Sequence, residues 1–586
     1  MGFLRHLGVG MLGLALATAP LRLRAGEEWG AAATEAGQNM QRGKHALRRV
    51  SHGSSPIPVY CHMQFEAPKL LSGEILAYTR GIFPEQSLRM VPAMLLGFWG
   101  YPNFPGISET DPISIFVFAP GEGGGLRWVA CAKLNPDGPV SSATRLQSIK
   151  SVKVGPWTFL SKDAVLLKEL SDRGQFRALV KLAERSAVND FRLDCLTPAI
   201  QDIVKHYEKT ALDNLARSGD INGNFQAISL LNFFLNFANQ LKECTIRGDF
   251  TEREFEGQMV LTAYDQSDLA TLFNAPVAAI DVSPATRLIP AGGVSQVVLR
   301  YSPEWTSRVL QLAIDGLFFY GQQGIGDVSE RAIYNLIEDI FYNYTGAMAA
   351  QVSIDGDGRE VVRHLWCMGS FPEQLADWVD FGYTQLAPVV ISSLVSLPPN
   401  SEFTVSTEVD RCAFIHRGMP VIGVKVNFSG IAGTVRPGQR SGTIDSQKRY
   451  YYCALKNFVA MANGEDAIRG LIDDVLKGRL REPSLAEVVG PGEGIAAQML
   501  INPLQSLRLI YPTLPPATGD SSNNNLSAQV KLGENAATLT FNVNSATVGD
   551  VVRALHQLEV DALPQNSKKI PNEGRNDGNG GREKKF

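Results

Sequence analysis

An α+β protein is what this sequence predicts: two related halves, each made of antiparallel sheet with helices packed on one face. Three observations lead there. Residues 111–170 read as a strand (DPISIFVFAP), a glycine turn (GEGGG), a second strand (LRWVACAKL), and a third strand running into a helix (VKVGPWTFLSKDAVLLKEL). The same order of elements returns between residues 346 and 476. Finally, three segments of the first half are answered, in order, by three of the second. Residues 152–170 are answered by 448–476, FRLDCLTPAIQDIVKHY (191–207) by AAQMLINPLQSLRLIYP (496–512), and FEGQMVLTAYDQSDLATLF (255–273) by AATLTFNVNSATVGDVVRAL (536–555). So long a period excludes a solenoid and points to a duplicated sheet-and-helix unit. The halves are placed at 57–275 and 276–563. A signal peptide (1–25) and a polar segment (26–56) precede them, and a disordered polar tail (564–586) follows.

Composition is that of a globular chain. With 586 residues, 44% hydrophobic and 19% charged, it can bury large cores without covalent staples. A net charge of −4 supplies no basic field, so no nucleic-acid partner is expected. The seven cysteines (Cys61, Cys131, Cys195, Cys244, Cys367, Cys412 and Cys453) form no CxxC pair, and most sit in apolar strand-like runs. A free thiol there packs as a small hydrophobe. The odd count leaves at least one unpaired within the chain, while an exported compartment would permit one or two disulfides.

Taken in order, the elements read as follows. Arg5 supplies a positive n-region and Leu7–Ala19 an apolar run too short to span a bilayer comfortably, the pattern of a secretory signal. Pro20 disfavours cleavage after Ala17-Thr18-Ala19, leaving Leu23-Arg24-Ala25 as the alternative site; an uncleaved anchor is the competing reading. No later segment has 18 uncharged apolar residues, so no transmembrane span is expected after the signal. The basic cluster from Arg42 to Arg49 reads as a solvated tail. PVYCHMQF opens the ordered part as a strand, and a helix is placed near 70–81. In LRWVACAKL every second residue is apolar on one face, and GEGGG lies between strands, so it is a hairpin turn and not a phosphate loop. Val152–Leu160 is a strand, with Ser161 capping the next helix. Thr197-Pro198 starts a helix, and 228–241 forms another that is apolar nearly all round. Phe255–Tyr264 is a strand, Ser267 begins a short helix, and 275–300 is read as the joint between halves.

In the second half, Ser302-Pro303-Glu304 and Ser329 begin helices. Strands at 347–354 and 361–368 flank Asp355-Gly356-Asp357-Gly358, a tight turn that lacks the spacing of a calcium loop. Residues 371–395 are mainly helical with a break at Pro388. Strands follow at 403–416, 421–428 and 450–455, with 429–447 as a polar loop. Asn463 is placed as the cap of helix 466–476. A helix at 504–510, a hairpin at 526–544 turning on Gly533-Glu534-Asn535, and a helix at 548–558 complete the chain.

The search for chemistry is mostly negative: no HExxH, GxSxG, Walker loop or strand-borne GxGxxG is present. His364, Cys367, Cys412 and His416 have spacings compatible with a zinc site. On strands, however, residues three apart point to opposite faces, so His364 and Cys367 should diverge. Adjacent Cys61 and His62 should diverge for the same reason. Glu408 and Asp410, two apart on a strand, are the best-placed carboxylate pair for a glycosidase. Phe233, Phe234 and Phe237 on the apolar helix are the candidate ligand-binding residues, and no cofactor is implied.

In its signal segment, the hairpin FVFAPGEGGGLRWVACAKL and the strand before a helix GPWTFLSK, the chain resembles large exported bacterial proteins of unknown function with duplicated α+β halves. The resemblance carries no functional residues and implies no activity. The expectation is an exported, periplasmic or extracellular, non-enzymatic binding or envelope-associated structural component, with another envelope protein or an apolar ligand as partner. The alternative is a glycan or peptide hydrolase with an unrecognised or degenerate site.

Overall fold

Among the described residues, every strand lies against a neighbour running the other way. The computed structural model describes residues 56–80, 110–118, 127–134, 149–184, 189–197, 199–201, 239–275, 283–290, 293–303, 330–387, 402–432, 442–478, 494–511 and 525–562, with isolated positions between. Within them lies one mixed helix-and-strand structure built on an eighteen-stranded antiparallel sheet. Its strands are β1 (Val59–Phe65), β2 (Ile113–Phe118), β3 (Arg127–Lys133), β4 (Lys150–Val154), β5 (Trp157–Ser161), β6 (Phe191–Leu196), β7 (Leu241–Phe250), β8 (Glu254–Ala263) and β9 (Ser295–Arg300). They continue as β10 (Tyr344–Ile354), β11 (Glu360–Met368), β12 (Glu402–His416), β13 (Met419–Ala432), β14 (Gly442–Leu455), β15 (Phe458–Ala462), β16 (Ile495–Ile501), β17 (Leu526–Gly533) and β18 (Ala536–Asn544). Pairing runs β4-β5-β3-β2-β1-β6-β7-β8-β18-β17-β16-β9-β10-β11-β15-β14-β13-β12 from edge to edge.

The helices that cover this sheet are α1 (Pro68–Arg80), α2 (Ala164–Asp172), α3 (Phe176–Ala183), α4 (Asp268–Phe273), α5 (Ser283–Leu288), α6 (Glu330–Asn343), α7 (Leu375–Phe381), α8 (Glu465–Lys477), α9 (Pro503–Ile510) and α10 (Ser545–Ala562). In the first half, Leu166, Leu170 and Leu179 of α2 and α3 bury against Phe116, Phe118, Val129 and Phe159. Each such fully buried side chain contributes about 1.5–3 kcal/mol relative to exposure. Asp163 caps α2 by accepting from Leu166 N at 2.9 Å and also takes Arg127 Nε at 2.8 Å, tying β3 to the helix start. In the second half, Ile468, Leu471 and Ile472 of α8 and Ala285 and Leu288 of α5 pack on Leu365, Cys453, Leu455 and Ala460. Here helices lie on both faces, because α7 (Trp378, Val379) packs on Ile422, Val424 and Met461 from the opposite side. The reason is visible in β15: Phe-Val-Ala-Met-Ala is apolar at every position, so neither face can be left to water.

Several boundaries differ from the sequence reading. The expected strand at 152–160 is two strands, β4 and β5, turning at Gly155-Pro156 with Gly155 at φ +62°. Asp163 and not Ser161 caps α2. Gly464 and not Asn463 caps α8; the Asn463 side chain instead holds Val362 N and Glu360 O of β11. The expected polar loop at 429–447 is strand at both ends, and β6, β7, β9, β15 and β16 go unread in the sequence. The hairpin turn at Gly533-Glu534-Asn535 stands where expected, with all three residues at positive φ. The signal segment, the polar tail and most of helix 228–241 lie outside the described residues.

The junction of the sheet is the pairing of β8 with β18, in register from Thr262 opposite Ala536 to Glu254 opposite Asn544. Glycines shape it. A Cβ on Gly257 would stand 2.2 Å from Phe541 Cζ, and one on Gly248 would stand 2.2 Å from Phe191 Cε1, so both rings occupy the space above glycine. Gly257→Val is expected to expel the Phe541 ring and destabilise the fold by about 1–3 kcal/mol. Gly356→Ala, with nothing within 4 Å, should be near neutral. Denaturant melts of the two variants check this, and equal stability would refute it.

Candidate functional site

Register alone assembles the most extensive feature of the sheet. Directly opposed residues of an antiparallel pair point to the same face. Following these pairs from strand to strand gives one row: Leu160, Ala130, Ile115, Met63, Leu193, Ile246, Met259, Leu539, Val530, Ala497, Leu299, Met348, Trp366, Val459 and Ala454. Every member is apolar. Around the junction the opposite face is mainly polar, with Glu256, Gln258 and Thr262 flanking Val260 on β8, and Thr538, Thr540 and Asn542 on β18. Met63, Leu193, Ile246, Met259 and Leu539 are half-buried, unlike the fully buried core beneath α2 and α8.

Helices frame this strip. At one margin α1 crosses, with Tyr78 Oη donating to Val543 O at 3.2 Å and its ring edge-on to Phe250. At the other, Leu269, Ala270 and Phe273 of α4 pack on Leu261, Leu532 and Ala537. Phe191, Phe250, Phe255 and Phe541 form a continuous aromatic group beside the row, with ring centroids 4.7–6.2 Å apart. The strip therefore has an apolar floor, aromatic patches and helical walls, the ingredients of an apolar ligand site.

Of the residues singled out from sequence, Phe233, Phe234 and Phe237 lie outside the described residues. The zinc quartet is not gathered. His364 belongs to the apolar face, between Ala350 and Met461 in register, while Cys367 is buried in the core on the other side. Burial pulls the His364 imidazole down to about 4, so it is neutral at physiological pH. Cys412 is exposed, and a register irregularity between Asp410 and Phe414 separates it from His416. His416 is committed elsewhere: Nε2 meets Asp473 Oδ1 at 2.8 Å and Nδ1 faces Arg469 Nη1 at 3.2 Å. Asp473, bonded first by Arg417 and then by Lys477 and His416, is held well below the usual carboxylate range. Glu408 pairs with Lys425 at 3.0 Å on an exposed hairpin, and Asp410 accepts from Cys412 N at 3.0 Å. As expected, His62 is buried, stacked on Phe116, while Cys61 points to the other face.

One carboxylate group escaped sequence reasoning. Glu66, Glu74 and Asp190 bring ligand oxygens within 4.8 Å of one another, the one such set among the described residues. They come from the end of β1, from α1 and from the start of β6, distant positions that no spacing rule connects. Asp249 joins them by accepting from Asp190 N at 3.1 Å, and Phe250 N donates to the Asp190 carboxylate. Burial first, then the hydrogen bond and charge of Asp190, push Glu74 up to about 7; Glu66 is raised for the same reasons. All-oxygen donors of this kind suit a hard divalent cation or a shared proton.

No family model matches the chain, and no curated protein matches it. Among solved structures, crystal forms IV and III of TP0453 are similar at 10% identity over 47% of this chain, covering 97% and 98% of theirs, with a TM-score of 0.20. A likeness of that size carries no conclusion about fold or activity.

The Glu74 shift makes a signed prediction. Between the ordinary carboxyl value of 4.5 and about 7, the folded protein keeps a proton that the unfolded chain releases, so stability falls as pH rises through that window. Glu74→Gln should therefore raise the melting temperature at pH 8 and change it little at pH 4.5. A pH-independent difference between variant and parent would contradict the assignment.

Proposed function

We propose that this chain is an exported, non-enzymatic binding protein of two related halves, whose common sheet face holds an elongated apolar ligand of the acyl-chain class. The observation that carries the ligand reading is the unbroken apolar row running through both halves and across the β8–β18 junction. Its central side chains are too accessible to be ordinary core and too contiguous to be ordinary surface.

The idea of related halves draws support from strand order. Outward from the junction, the first half runs β8, β7, β6, β1, β2, β3, β5, β4, and the second runs β18, β17, β16, β9, β10, β11, β15, β14. Position by position, β5 and β15 each lead into a helix (α2, α8), and β8 and β18 do the same (α4, α10). The β12–β13 hairpin is then an addition beyond β14. Export rests on the N-terminal signal pattern alone. Among the described residues no helix is long and apolar enough to cross a membrane.

Titration with a fluorescent polyene fatty acid tests the ligand. The parent protein should bind saturably. Met259→Glu or Leu539→Lys should weaken binding at least about tenfold, equivalent to about 1.4 kcal/mol, whereas Val260→Glu on the opposite face should leave it intact. No binding by the parent, or equal losses from both faces, would refute the proposal. Hydrolysis of a glycan or peptide that is abolished by Glu74→Gln would replace it with the hydrolase reading.

A further inference from the structure

We propose that Cys61, Cys195 and Cys244 form a thiol–disulfide site on the apolar face, in which Cys195 is the exchanging sulfur. The three thiols come from three adjacent strands and stand directly opposite one another: Cys61 faces Cys195 across β1 and β6, and Cys195 faces Cys244 across β6 and β7. Cys61 Sγ lies 3.5 Å from Cys195 Sγ. Directly opposed residues of an antiparallel pair have Cα atoms about 4.5–5.5 Å apart, inside the range of about 4.4–6.8 Å that a disulfide spans. Closing the bond needs only a small approach of the sulfurs, with no rearrangement of the sheet.

The same geometry argues against a metal. Strands lie about 4.8 Å apart, so Cys61 and Cys244, two strands removed, are about 9–10 Å apart at the backbone. One ion with bonds of about 2.3 Å to sulfur cannot take all three. The other described cysteines differ in setting. Cys131, Cys367 and Cys453 are buried, and Cys412 is exposed, whereas Cys61, Cys195 and Cys244 are half-buried. Within the row the sulfurs are not equivalent. Cys195 accepts the Cys61 S–H and is drawn below its ordinary value; Cys61 is raised by that same bond and by burial, and Cys244 is pushed up to about 11 by burial. The thiolate forms at the central position, where either neighbour can reach it.

The oxidant is a disulfide, RSSR. The Cys195 thiolate attacks one of its sulfurs, breaking the S–S bond, forming the mixed disulfide Cys195–S–S–R and releasing RS⁻. Cys61 then gives its proton to solvent and attacks the Cys195 sulfur, expelling the second RS⁻. Two protein thiols have lost two electrons, and one disulfide has become two thiols. Deprotonated Cys244 can likewise attack the Cys195 sulfur of the Cys61–Cys195 bond, forming Cys195–Cys244 and expelling the Cys61 thiolate, so the bond can move across β6. The proposal does not depend on the apolar-ligand reading.

Incubating the reduced full-length chain with oxidised glutathione, then mapping disulfides by mass spectrometry of a non-reduced digest, tests it. The parent and Cys244→Ser should both yield a Cys61–Cys195 linkage. Cys61→Ser should yield Cys195–Cys244 in its place, and Cys195→Ser should yield neither bond. The proposal is overturned if the folded parent and Cys244→Ser give no Cys61–Cys195 linkage, or if glutathione is found on Cys412 alone.

Discussion

The pairing of β8 with β18 is the constraint on which the rest of this molecule depends. Each of these strands would otherwise be the open edge of a sheet, with unpaired N–H and C=O groups and an apolar face beside it, a template for aggregation. Paired along their length, they remove two edges at once and make one apolar surface out of two. Among the described residues the edges that remain are β4, short and carrying Lys150 and Lys153, and β12, studded with Glu402, Glu408, Asp410 and Arg411. Charge at an edge discourages further strand addition. The chain thus closes its sheet in the middle and blunts it at both ends.

Composition of the central strands fits this arrangement. β7, β8, β17 and β18 are apolar on one side and mainly polar on the other, whereas β15 is apolar on both and β2 is so apart from Ser114. The outer regions can therefore carry helices on either side, and the junction needs apolar cover on one face only. Glycine at 248 and 257 lets Phe191 and Phe541 lie down over the backbone there, so aromatic area is gained without a ridge. His364, the imidazole within this face, is held uncharged by its surroundings. The surface offers an incoming ligand dispersion and desolvation, with no fixed charge from that residue.

Local chemistry in the sequence was enough to place many elements. The positive-φ residues Gly533, Glu534 and Asn535 turn the last hairpin, Asp355 Oδ1 accepts from Asp357 N and Arg359 N in the turn before β11, and Ser267 caps α4. Where the sequence reading failed, the cause was non-local. β7 (LKECTIRGDF) is rich in charge, and its apolar side is only Cys244, Ile246, Gly248 and Phe250, too slight to announce a strand; β6 and β8 hold it on both sides. β9 was hidden among prolines and glycines, and Asn463 looked like a cap because its tertiary partners on β11 were out of view. The candidate site was the least legible part. Each strand reveals which of its residues alternate, but which alternate faces coincide depends on strand order and register across some five hundred residues. The same holds for Glu66, Glu74 and Asp190, and for the three cysteines.

The account stands on a single apolar surface shared by both halves. Photo-labelling with a diazirine-bearing long-chain fatty acid, followed by peptide mapping, measures that directly. The account predicts adducts on Met63, Leu193 or Ile246 from one half together with Leu539, Val530 or Met499 from the other, all competed by unlabelled fatty acid. Labelling confined to one half, or to the polar face around Gln258 and Thr540, would contradict it.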